Sequence, residues 1–187
     1  MSVPAASRAR LLALLTERSF KKQKVVLSSG KESDFYIDCK KTALLAEGHF
    51  LVGHLFFASI REHAAAAVGV GGITMGADPL ASAVALISHE QGYALHAFYV
   101  RKEPKGHGTG QWIEGLGAFE KGAKVAIVED VITTGASTIK AIERARAEGL
   151  DPIGVFALVD REEGGKDAVE KTGVKVYALF ARRDFPA

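Results

Sequence analysis

Two adjacent carboxylates, Glu129 and Asp130, follow the apolar run Val125 to Val128 and lead through Val131 and Ile132 into Thr133-Thr134-Gly135-Ala136-Ser137. A helix read over 136–148 begins there, with Ile139, Ile142 and Ala145 in register and Gly149 as its stop. The start of a helix leaves backbone N–H groups without partners and carries a partial positive charge. The hydroxyls of Thr133, Thr134 and Ser137 add donors, and Gly135 lets the backbone approach a ligand closely. In physical terms this turn is a phosphate cradle. The two acids would repel a phosphate, but they suit neutral hydroxyls such as the 2- and 3-hydroxyls of a ribose, or a metal. A ligand with a phosphate at one end and a diol nearby, such as a ribose 5-phosphate, satisfies both halves. The plain alternative is a βα turn in which Thr133 or Thr134 only caps the helix. Paired acids, double threonine and glycine arriving together argue against it.

A second group of residues is cationic. Arg101-Lys102-Glu103-Pro104-Lys105-Gly106-His107-Gly108-Thr109-Gly110 follows the apolar stretch 97–100 and places Arg101, Lys102, Lys105 and His107 within seven residues. Its glycines and Pro104 suit a loop rather than a rigid charged face. Such a loop could close over a pyrophosphate and exclude water. A third group, Leu158-Val159-Asp160-Arg161-Glu162-Glu163-Gly164-Gly165, again lies past a strand-like run. Taken alone, Arg161 among acids reads as a surface ion pair. Competing motifs are weaker: Gly69-Val70-Gly71-Gly72-Ile73-Thr74 has threonine where a dinucleotide fingerprint needs glycine or alanine, and no Walker A pattern occurs. His49, His54 and His63 are not at zinc-helix spacing.

The 129–137 stretch closely resembles the phosphoribosyl pyrophosphate (PRPP) loop of type I phosphoribosyltransferases. Arg-Lys-x-x-Lys-x-His at 101–107 resembles the catalytic loop of orotate phosphoribosyltransferases in particular. The segments 158–165 and Leu27 to Asp38 match further pieces of that family, so the resemblance spans roughly 25–165 in the expected order. It implies that Arg101, Lys102, Lys105 and His107 contact the pyrophosphate of PRPP, and that Glu129, Asp130, Val131, Ile132, Thr133, Thr134, Gly135, Ala136 and Ser137 hold its ribose 5-phosphate. Lys105 and Asp130 are the implied catalytic residues. Arg161 is implied to read the carboxylate of orotate, a planar partner for a guanidinium fork, with Thr133 a second base contact and Tyr36 against the pyrimidine ring. The resemblance also implies a homodimer whose 101–110 loop acts in the partner's site, and Mg²⁺ carried by the substrate's oxygens rather than by protein ligands. Its alternatives are a phosphoribosyltransferase for another base, or a non-catalytic PRPP-sensing regulator. Two departures stand out. Many relatives have lysine where Ser28 stands, and another in the turn that here reads Thr74-Met75-Gly76-Ala77-Asp78-Pro79. Pyrophosphate must then be held with fewer cations, through backbone N–H groups around Gly71, Gly72 and Gly76.

These residues need elements to position them. Residues 5–19 read as an amphipathic helix with Leu11, Leu12 and Leu15 on one side, and 25–41 as irregular or strand-like with a short run at Phe35-Tyr36-Ile37. A long helix covers 44–63, and another opens at Pro79. Short apolar runs at 68–70, 97–100, 125–128, 153–159 and 174–180 read as strands. Strands alternating with helices predict an α/β fold, a mostly parallel sheet covered on both faces, with ligands beyond the strands' carboxyl ends. The type I phosphoribosyltransferase resemblance adds a small N-terminal hood, residues 1–40, over the base, within one domain of 1–187. The chain's 187 residues, 48% hydrophobic and 25% charged, suit such a domain. A net charge of +2 gives no global field for nucleic acid. The single cysteine, Cys39, excludes an internal disulfide and a multi-cysteine zinc site. Leu11 to Leu15 is too short for a signal-peptide core, and no run reaches a membrane span, so a cytoplasmic protein is expected.

Overall fold

The structure is a computed structural model, and it describes residues 5–26, 32–104 and 111–186. The chain opens with helix α1 (Ala5–Leu14), which runs on as a π-helical turn over Leu15–Ser19. Strands β1 (Phe20–Val26) and β2 (Glu32–Ile37) then pair antiparallel, with Phe20 opposite Ile37 and Lys22 opposite Phe35. The lysine-rich β1 lacks a clear apolar alternation, which is why it does not read as a strand. It forms because Phe20 packs on Phe35 and Phe185, with ring centroids 5.1 and 5.6 Å away.

After the short α2 (Lys40–Ala43) come α3 (Ala46–His63), β3 (Gly69–Ile73), α4 (Asp78–Glu90), β4 (His96–Val100) and β5 (Ile113–Glu114). The chain continues with β6 (Lys124–Ile132), α5 (Ala136–Ala147), β7 (Asp151–Asp160), α6 (Gly165–Glu170) and β8 (Val176–Ala181). The six strands of the main sheet lie in the order β5-β4-β3-β6-β7-β8, all parallel except β5. The predicted α/β sheet is therefore present.

Both sheet faces are covered, and β6 shows why. Ala126 and Val128 join the core beneath α1, α3 and α4, whereas Val125 and Ile127 join the core beneath α5. Neighbouring residues of a strand point to opposite faces, so a run apolar on both must be enclosed. Phe156 on β7 is fully buried, and cutting it to alanine would cost about 3–5 kcal/mol. The sheet also changes direction. The chain moves from β3 outward to β4 and β5, then returns to lay β6 on the other side of β3. A crevice opens where strand order reverses, here beyond the carboxyl ends of β3 and β6.

Two boundaries differ from the sequence reading. Strand β6 continues to Ile132 rather than ending at Val128, because Glu129, Val131 and Ile132 still pair with Ala157, Val159 and Asp160 of β7. Gly71 and Gly72 lie inside β3, opposite Phe98 and Tyr99 of β4. Their amides sit within the sheet, so of the three glycines expected to offer N–H groups to pyrophosphate only Gly76 lies in the turn beyond the strand.

Candidate active site at the reversal of strand order

Strand β6 runs through the paired acids, whose side chains still touch one another yet take different partners outside the pair. Glu129 is 5% exposed and accepts a 3.0 Å hydrogen bond from Thr138 Oγ1 in the first turn of α5. Burial, then the neighbouring charge of Asp130, push its carboxyl up to about 8 against the pull of Thr138. Asp130 Oδ1 accepts from the N–H of Val131 at 2.9 Å. Its Oδ2 stands 3.7 Å from Lys40 Nζ, which also pairs with Asp38 at 3.1 Å. Burial works against the Lys40 ammonium, but the hydrogen bond to Asp38 and the charges of Asp130 and Asp38 outweigh it. Asp130 is the open acid of the pair.

The turn after β6 is fixed by close backbone packing. Gly135 has φ of +80°, and a Cβ there would stand 2.7 Å from the carbonyl oxygen of Gly165. No side chain caps α5, and Thr134, Ala136 and Ser137 are exposed while Thr133 is partly so. The first amides of a 12-residue helix thus face the crevice uncapped, beside Asp130. Across the crevice, the turn after β3 is held by a 2.6 Å hydrogen bond from Thr74 Oγ1 to Asp78 Oδ2.

The cationic segment meets this site from β4. Arg101 donates to Glu103 O at 3.2 Å and pairs with Glu114 at 2.9 Å, while Lys102 is exposed. Lys105 and His107 lie outside the described residues. Arg161 is 7% exposed and donates to the carbonyl oxygen of Phe35 at 2.7 Å, one residue from the half-exposed Tyr36. It also pairs with Glu163 at 3.0 Å. Strand β2 and the end of β7, far apart in sequence, are thus joined at Phe35 and Arg161. A hollow of about 360 Å³ lined by Leu116, Phe119, Lys121 and Leu150 lies at the amino ends of the strands, away from these groups. The chemistry follows the converging polar residues, not that hollow.

The family model described as a phosphoribosyl transferase domain matches residues 42–177. An orotate phosphoribosyltransferase of Sorangium cellulosum is 52% identical over 97% of this chain and 94% of its own length. The chain belongs to the orotate phosphoribosyltransferase family. Another member, from Aquifex aeolicus, is 45% identical over 92% of this chain and 94% of its own. The Mycobacterium tuberculosis orotate phosphoribosyltransferase solved with PRPP is 35% identical and superposes with a TM-score of 0.75, covering 95% of this chain and 98% of that one.

Against this family background, three residues escaped the sequence reading. Thr138 fastens Glu129 to α5. Arg144, also on α5, donates to the carbonyl oxygens of Arg101 and, at 3.2 Å, Lys102, and lies 3.8 Å above the ring of Trp112. It therefore grips both stems of the cationic segment. Lys40 meets Asp130 across more than eighty positions of sequence. Only the acids flanking Lys40 and the position of Thr138 in a first helical turn could have signalled any of this. Among the described residues no three His, Cys, Asp or Glu side chains converge as metal donors. Among the described residues no helix is long and apolar enough to cross a membrane.

Proposed function

We propose that this chain transfers the ribose 5-phosphate unit of PRPP to orotate, giving orotidine 5-phosphate and pyrophosphate. The observation that carries this reading is the uncapped start of α5 beside the open carboxylate of Asp130, in the crevice where strand order reverses. The family membership and the PRPP bound by the M. tuberculosis relative support the same substrate. The amides of 134–137 hold the 5-phosphate, Thr133 lies toward the base, and Asp130 accepts hydrogen bonds from the ribose diol. Glu129, tied to Thr138, links the strand to the helix.

The reaction breaks the C1–O bond with its electron pair going to pyrophosphate, and forms a bond from C1 to a ring nitrogen of orotate, which loses its proton. Arg101, Lys102, Lys105 and His107 neutralise the charge that grows on the leaving group. Arg161 holds the orotate carboxylate, and Tyr36 lies along the ring. Fixing both reactants on one sheet edge removes much of the entropy cost of their meeting. The described residues form no protein cage for a metal, and Asp130 is the open acid beside the site. Mg²⁺ carried on the substrate's oxygens would supply further charge neutralisation. The reading extends to one domain over 1–187 with residues 1–40 as a hood over the base, to a homodimer sharing the 101–110 loop, and to the cytoplasm.

The test is incubation with PRPP, Mg²⁺ and orotate, following loss of orotate absorbance, with uracil and adenine in parallel. Turnover with orotate alone is expected. Turnover with another base instead would move the assignment to a different phosphoribosyltransferase. PRPP binding without turnover of any base would make the chain a sensor.

A further inference from the structure

Asp130, Lys40 and the turn after β3 meet at one point. Lys40 Nζ stands between Asp38 and Asp130, and Gly76 backs onto the same Asp130 carboxylate, where a Cβ would lie 2.7 Å from Oδ1. The turn Thr74–Asp78 contains no lysine or arginine. It ends in Asp78, whose Oδ1 is buried with no hydrogen-bond partner among the described residues. A phosphate entering beside Gly76 therefore meets three acids: Asp38, Asp78 and Asp130. Arg101 is engaged by Glu114, and Arg161 by Glu163 and Phe35. Lys40 is also paired, but it is the cation that stands at Asp130 itself; its side chain is 43% exposed, and an ammonium has three donors, two of which suffice for its acid partners.

With the ribose diol on Asp130, the sugar's C1 is one carbon from the held 2-hydroxyl. The first phosphate of the leaving group must then emerge near the acid that Lys40 flanks. We infer that Lys40 binds the pyrophosphate of the ribosyl donor, approaching from α2 and supplying the positive charge that the β3–α4 turn lacks. This inference rests on the proposed function and adds a substrate-contacting residue to it.

Inorganic pyrophosphate and ribose 5-phosphate, each used as an inhibitor of the forward reaction, separate the two halves of the donor. Lys40→Met is expected to raise the inhibition constant of pyrophosphate and the KM for PRPP about 10-fold, the scale of one charge-assisted hydrogen bond. The constant for ribose 5-phosphate and the KM for orotate should shift less than about 3-fold, and Lys40→Arg should recover most of the loss. An unchanged pyrophosphate constant would overturn the inference, as would equal losses for pyrophosphate and ribose 5-phosphate, since Lys40 would then act only through Asp130. If Lys40→Met does not fold, Lys40→Gln decides by the same pair of constants. Should the wild-type protein turn over no base, binding of pyrophosphate and ribose 5-phosphate read by calorimetry still tests Lys40 while the proposed function fails. Turnover by the wild type without the split removes Lys40 alone.

Discussion

The β6–α5 turn and the described stems of the segment joining β4 to β5 are held by different means. The first is fixed at every step: β6 pairs with β7 out to Ile132, Thr138 holds Glu129, and Gly135 abuts the backbone of Gly165. The second is gripped at its stems, by Arg144 on the carbonyl oxygens of Arg101 and Lys102 and over the Trp112 ring, and by the Arg101–Glu114 pair. The difference separates two tasks. Holding a sugar phosphate needs amides whose directions are set before the ligand arrives. Neutralising a departing pyrophosphate needs charges brought in by a segment that can also let product go.

If that division holds, losses in the two regions should differ in kind. Lys105→Ala should lower kcat by roughly 10²-fold or more, the scale of one oxyanion stabiliser, with PRPP binding much less affected; unchanged turnover would remove the loop from catalysis. Arg161→Ala should raise the KM for orotate about 10-fold or more while that for PRPP moves little, and equal losses for both would reject it as the carboxylate reader. Arg144→Met should lower kcat about 3-fold and leave ribose 5-phosphate binding alone, on the scale of a cation–π contact with two hydrogen bonds at a partly exposed site. A larger effect on ribose 5-phosphate than on kcat would place Arg144 with the rigid turn.

The smallest effect concerns pH. Glu129 has a folded-state pKa of about 8 against an ordinary value of 4.5. The folded protein thus binds the extra proton between those values, and stability falls as pH rises through that window. Glu129→Gln stays neutral throughout. Its melting temperature relative to wild type should therefore climb from pH 5 to pH 9, and parallel curves would show that Glu129 is already ionised at neutrality.

Much of this was legible in the chain itself. The buried strands announced themselves as short apolar runs because enclosure on both faces forbids alternation. The β6–α5 junction was legible as a strand leading into a helix start, because Gly135 and the small hydroxyl residues beside it suit such a turn. The hairpin's first strand was not, since Phe20 becomes a core residue only when Phe35 and Phe185 are beside it. Nor could the sequence part Glu129 from Asp130. Adjacent acids look equivalent until their outside partners are known: Thr138 for the buried Glu129, Lys40 for Asp130.

The sequence by itself thus determined the layered α/β architecture, because the pattern of each strand and helix depends on neighbours in the chain. The tertiary structure alone decided which acid faces the crevice, that Arg144 grips the stems of the cationic segment, and that Lys40 stands by Asp130. Those relations join residues that are 43 and 90 positions apart, and local preference carries no information about them.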